Sequence, residues 1–194
     1  MTRSIRWRII VLQVVALLVL AFGSGAGFVA NSFTTTQIHD QLAPQQIYFP
    51  QNAAQGLPKD LTQYAGQQVL TGDQAHAYAE QYIALHLSEI GQGHPYSYWS
   101  AQARAATDPT VAAKDQAIAD TLFKGETLRS MLNQAWTFSV IAQLALIAGI
   151  AFAIAAVVVL GTLIFEVAEL VTGKETIEAV RPTTVTEPNL AGVQ

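Results

Sequence analysis

Hydrophobic positions gather in two runs along this chain, 9–30 and 138–165, each at or above the roughly 20 residues that a membrane-spanning helix needs. Between them, over 31–137, apolar residues recur with the period of a helix. In DQAHAYAEQYIALHLSEIGQG the positions Ala75, Ala79, Tyr82, His86 and Ile90 fall three or four apart, and Ile83 and Leu87 widen that face. Asp73 is the expected N-cap of this helix and Gly91 its stop. A short helix is expected after Pro95, and Asp108-Pro109 then opens a long one as N-cap and first turn. Val111, Ile118, Leu122, Gly125, Leu128 and Leu132 mark the stripe of that long helix expected to be buried, with Gly125 at a tight helix crossing. No segment alternates with the period of a strand.

The long helix meets no proline before the second apolar run, so it is predicted to pass from water into the bilayer at Trp136 and Phe138 as one rod. Such a join fixes the outer part rigidly to the membrane, which suits a scaffold better than a tethered, tumbling catalyst. Thr34 to Ala43 extends the first apolar helix until Pro44 stops it. The stretch PQQIYFPQNAAQGLPKD reads as an irregular loop. Its three consecutive apolar residues, Ile47, Tyr48 and Phe49, either pack beneath the loop or dock into a neighbouring subunit. The predicted fold class is an all-α membrane protein, an antiparallel two-helix transmembrane hairpin with a small extracytoplasmic helical domain. Its segments are a cytoplasmic N-terminus (1–8), transmembrane helices at 9–30 and 138–165, the outer domain at 31–137, and a partly disordered cytoplasmic tail (166–194).

Composition agrees with a divided chain: 51% of residues are hydrophobic and only 12% charged, too apolar for a typical soluble domain and too mixed for a pure membrane bundle. Charge sets the orientation. Arg3, Arg6 and Arg8 precede the first run, and no Lys or Arg occurs between Asn31 and Lys59 beyond it. The N-terminus is therefore expected in the cytoplasm, and Lys174 and Arg181 place the C-terminus there too, against the weaker opposing pull of Lys124 and Arg129. A secretory signal peptide is the competing reading of the start, with Gly25-Ala26-Gly27 as small residues of the cleavable kind. The first run exceeds the usual h-region length and is taken as an uncleaved anchor. Thr183, Thr184 and Thr186 in the tail are open to phosphorylation, although a plain flexible tail explains them as well.

Small residues recur at helical spacing in both apolar runs. Gly23 and Gly27 form one pair and Ala145, Gly149 and Ala153 a stripe, each suited to close helix packing. Gln13 is the one strongly polar side chain deep in the first run, and neither it nor Gln143 is ionisable, so no proton or ion path is indicated. Cysteine is absent, which removes disulfides, thiolate nucleophiles and Fe–S ligation. The formal net charge of −4 and the lack of a basic ladder argue against a nucleic-acid partner. Four histidines, His39, His76, His86 and His94, remain for metal or acid–base work. His76 and Glu80 lie one turn apart, as do His86 and Glu89, yet His76 and His86 point about 80° apart on a helix and do not share an ion readily. No GxSxG, Walker, Rossmann or HExxH pattern occurs, so no catalytic, metal or cofactor residue is assigned.

The strings YAGQQVLTGDQAHAYAEQYIALHLSEIGQG and LFKGETLRSMLNQAW, followed by a terminal membrane helix, resemble a family of small two-pass membrane proteins of actinobacteria. Members often carry the name "aromatic ring-opening dioxygenase", which implies a non-haem iron site. The four histidines here do not assemble a triad of two histidines and a carboxylate, so the resemblance implies architecture and no reaction. The expected function is that of a non-catalytic accessory or scaffolding subunit of a larger membrane-bound complex, such as an oxidoreductase or respiratory assembly. Its partners would be other integral membrane subunits and lipid. The alternative is an extracytoplasmic module that binds or senses a small ligand or lipid among Tyr78, Tyr82, Tyr96, Tyr98 and Trp99.

Overall fold

The structure, a computed structural model, describes residues 3–172. Those residues are all-helical apart from turns and one isolated bridge, Tyr48 with Gln68. Two helices dominate. Helix α1 spans Arg3–Leu42 and helix α5 spans Pro109–Thr172, and both are long and apolar enough to cross a membrane. At 1.5 Å per residue they extend about 60 Å and about 96 Å, well beyond a hydrocarbon core of roughly 30 Å. Of the tail expected over 166–194, the stretch 166–172 continues helix α5, and 173–194, with Thr183, Thr184 and Thr186, lies outside the described residues.

The chain separates into two compact units, Met1–Gly23 with Phe152–Gln194, and Ser24–Ala151. In the first, the two helix segments meet at three described places. Gly23 faces the ring of Phe152, Gln13 Nε2 donates to Thr162 Oγ1 at 3.3 Å, and Arg6 lies 3.7 Å from Glu169. Gln13 Oε1 is buried without a partner. Of the small-residue pair, Gly23 thus lies under an aromatic ring, and Ala153 is half-buried on the same unit. In the second unit Gly27 packs on α5 at Ala145 and Gly149.

The second unit carries the core. Around α1 and α5 it adds short 3₁₀ turns at Ala43–Gln45, Ala53–Gln55 and Lys59–Tyr64, then α2 (Gly72–Ala77), a π-helical turn (Tyr78–Ile83), α3 (Ala84–Ile90) and α4 (Tyr96–Ala105). The single helix expected over 73–90 is therefore interrupted. The wide turn still lets Ala75, Ala79, Ile83 and Leu87 keep one buried face, joined in the core by Phe49, Leu61, Val69, Leu122 and Leu132. Its N-cap is Thr71 rather than Asp73. Thr71 Oγ1 accepts from Gln74 N while the Gln74 side chain accepts from Thr71 N, a reciprocal capping box that leaves Asp73 in the first turn. Asp108 does cap α5, its Oδ1 accepting from Thr110 N at 2.7 Å.

Two expectations about buried stripes need correction. Ile90, Val111 and Leu128 are exposed, because the buried line on α5 runs through Ala119, Leu122 and Leu132 and because Ile90 ends its helix beyond the core. In the loop, Phe49 is only 2% exposed and stacks on Tyr64, Ile47 is partly buried on the same core, and Tyr48 is 54% exposed. Alternation across the Tyr48–Gln68 bridge turns Tyr48 outward between two inward neighbours.

Candidate functional site

Gly125 and Arg129 lie one turn apart on α5 and face the 72–90 run. A Cβ on Gly125 would stand 3.0 Å from Leu87 Cδ1 and 3.1 Å from Leu87 Cγ, and closer still to Cδ2. The glycine thus accommodates a leucine side chain from α3, and that contact fixes how the two elements meet. One turn on, Arg129 Nε and Nη2 reach the two oxygens of Glu80 at 3.1 and 2.6 Å, a bidentate pair. Asn133, a further turn along, donates Nδ2 to Glu80 and accepts at Oδ1 from His76 Nδ1 at 2.9 Å. His76 stacks on Trp136, ring centres 4.2 Å apart.

The chain of donors has one sense throughout. Arg129 and Asn133 donate to the carboxylate, and the amide oxygen this leaves on Asn133 accepts from His76 Nδ1. The hydrogen bonds from Arg129, then that from Asn133, hold the Glu80 carboxyl below its ordinary value. His76 and Glu80, one turn apart, are linked through Asn133, and Arg129 occupies the carboxylate. Among the described residues no three His, Asp or Glu side chains gather closely enough to hold a metal ion.

Aromatic residues form separate groups rather than one cage. Tyr64, Phe49, Tyr78, Tyr82 and His86 follow one another with ring centres 4.3 to 5.1 Å apart. Burial pushes the Tyr78 phenol up to about 12. His86 Nδ1 donates to the carbonyl of Tyr82 at 2.8 Å, so this ring too is committed. Elsewhere Tyr98 stacks on His94 and meets Trp99 edge-on, Trp99 Nε1 donates to the carbonyl of Gly91, and Tyr96 leans on Phe123. These contacts pack Tyr64, Tyr78, Tyr82 and Trp99 on the core, whereas Tyr96 and Tyr98 stay exposed.

A groove of about 1040 Å³ opens between the C-terminal part of α1, the turn at Pro44 and the 128–138 stretch of α5. Ile38, Leu42 and Leu132 form its buried floor. Phe33, 65% exposed, and Met131, 62% exposed, stand on its rims with Leu128 and Phe138. Glutamines 37, 41, 45 and 134 and the carboxylate of Asp40 complete the lining. Ile47 reaches this groove, while Tyr48 and Phe49 do not line it. The sequence contains the apolar residues of both walls, yet the periodicity that marks them assigns Leu128 to the interior.

No protein-family model, curated protein or solved structure matches this chain.

Proposed function

We propose that the chain is a non-catalytic accessory or scaffolding subunit of a larger membrane-bound complex, of the kind found in oxidoreductase or respiratory assemblies. In this reading α1 and α5 form an antiparallel transmembrane hairpin with both termini in the cytoplasm, and the domain over 31–137 is extracytoplasmic. The order of contacts supports the pairing, since Arg6, Gln13 and Gly23 meet Glu169, Thr162 and Phe152 in turn. The arginines ahead of the first apolar run support the orientation. This is the architecture that the resemblance to the two-pass actinobacterial family implies.

The observation that carries the reading is the groove, which exposes Phe33, Leu128, Met131 and Phe138 together beside a rigidly packed core. A contiguous apolar surface of this kind, rimmed by polar residues, is the mark of an interaction site. The polar residues behind it are engaged with one another, as Arg129, Glu80, Asn133 and His76 illustrate. Purification in mild detergent tests the proposal: the chain co-elutes with another integral membrane protein, and Met131→Glu releases it. Elution of the chain by itself under those conditions overturns the assignment.

The same groove supports a second reading, an extracytoplasmic module that binds a lipid or small apolar ligand, because its floor is wholly aliphatic. A lipid or quinone-like molecule retained in stoichiometric amount, with no protein beside it, favours that reading over the first.

A further inference from the structure

Helices α1 and α5 separate where the groove begins. At Gly27 the two backbones touch, for a Cβ there would lie 2.5 Å from the Ala145 carbonyl oxygen and 2.8 Å from Gly149 Cα. A short way along, between Phe33 and Gln45 on one side and Leu128 and Phe138 on the other, the space reaches about 1040 Å³. Across it, α5 presents Leu128, Met131, Ala135 and Phe138 at spacings of three, four and three, and α1 presents Thr34, Ile38 and Gln41 at four and three. This is the seam spacing by which helices receive knobs from another helix. The small residues Ala142, Ala145 and Gly149 continue the same series on α5, and there α1 closes the seam at Gly27. Over 128–138 Ala135 packs against the core, while Leu128, Met131 and Phe138 stay exposed among the described residues.

We propose that the groove receives a helix of a partner membrane subunit that carries a Lys or Arg opposite Asp40. This rests on the accessory-subunit reading and names the form of its partner. Glutamines 37, 41, 45 and 134 favour a polypeptide over an acyl chain, which would leave their amides against hydrocarbon. Asp40 is the one charged residue among the described lining, and its side chain is 64% exposed, so the groove repels an anionic headgroup and attracts a cationic side chain that competes with His39 Nδ1, 3.4 Å away.

A chain carrying a photoreactive benzophenone side chain at Met131, or at the exposed Val111 outside the groove, is irradiated in host membranes. The Met131 probe gives an adduct with one polypeptide and the Val111 probe does not. Peptide mapping places the adduct on an apolar helix with a basic residue, Asp40→Asn weakens the yield, and Asp40→Lys lowers it by about fivefold, the factor for about 1 kcal/mol. Reversing the mapped basic residue to Glu restores the yield with Asp40→Lys. Because Asp40 is exposed, both variants melt as the wild type does, which separates lost docking from lost folding. Adducts to lipid alone, to a second copy of this chain, or to a peptide without a basic residue overturn the proposal, as does a yield indifferent to Asp40→Lys. If a membrane protein co-purifies but never cross-links at Met131, helix docking falls and the accessory role stands; if none co-purifies, both fall.

Discussion

Replacing Gly27 with alanine tests the close backbone contact between α1 and α5 in the second unit, and Gly25→Ala supplies a control two residues away on the same helix. A Cβ at Gly25 meets nothing within 4 Å. One at Gly27 falls 2.5 Å from a carbonyl oxygen and 2.8 and 3.0 Å from Cα and N of Gly149, nearly 1 Å short of ordinary contact for the first. All three atoms belong to backbone, so no rotamer change relieves them, and the helices must move apart along a stretch where small residues let them approach. Overpacking of this type costs about 1–3 kcal/mol. Both substitutions gain the same helix propensity, about 0.5–1 kcal/mol, and that gain cancels in the comparison. The difference between the variants is therefore about 1–3 kcal/mol. At about 2–4 °C per kcal/mol for a chain of this size, Gly27→Ala melts about 2–12 °C below Gly25→Ala. Gly149→Ala, whose Cβ would meet Ser24 O at 3.1 Å and Gly27 Cα at 3.3 Å, falls between them. Thermal unfolding of the detergent-solubilised proteins, followed by circular dichroism, reads the order. Equal midpoints for Gly25→Ala and Gly27→Ala refute the reasoning.

Gly125→Leu lowers the melting midpoint more than Ala113→Leu does, since the former meets Leu87 and Ala113 is exposed; a midpoint at or above wild type for Gly125→Leu removes the crossing. In the Leu87→Ala background the penalty of Gly125→Ala shrinks, which a double-mutant cycle measures as coupling. The Glu80 carboxyl is held below its ordinary 4.5, so its contribution to stability is present above pH 4.5 and lost as pH falls through the lowered value. Melting against pH accordingly drops more steeply below 4.5 in the wild type than in Glu80→Gln, and parallel curves count against the pair with Arg129. A cysteine introduced at Gln55 of this thiol-free chain reacts with an impermeant maleimide in intact cells, and one at Gln194 does not; the reverse pattern inverts the proposed topology.

Periodicity carried the sequence reading where one face of a helix meets one neighbour. Ala75, Ala79, Ile83 and Leu87 repeat through the 72–90 run and all four are buried, because the core lies on one side of that run along its length. The same signal failed at Leu128. A stripe on α5 reports that leucine is apolar, whereas burial depends on whether another element arrives opposite, and at Leu128 the groove opens instead. The Thr71-x-x-Gln74 capping box stands in the chain, and Asp73, a good cap by type, lies two residues too late to be the N-cap.

The polar network had no comparable signal. Arg129 and Glu80 are 49 residues apart and Asn133 and His76 are 57 apart, distances at which spacing says nothing about contact. What brings them together is the packing of Leu87 over Gly125, which sets the two elements close enough for a bidentate ion pair one turn further on. A glycine within a long helix is visible in sequence as a cost of roughly 1 kcal/mol that wants a reason. The reason found here is a leucine from another helix, and the ion pair beside it is a consequence of that fit. It follows that the network and the crossing stand or fall together: Gly125→Leu, in pushing α3 outward, also lengthens the Arg129–Glu80 contact. The steepened loss of stability below pH 4.5 is then absent in Gly125→Leu, although both charged residues remain in place. Retention of the wild-type pH response in that variant separates the ion pair from the glycine and removes the link argued between them.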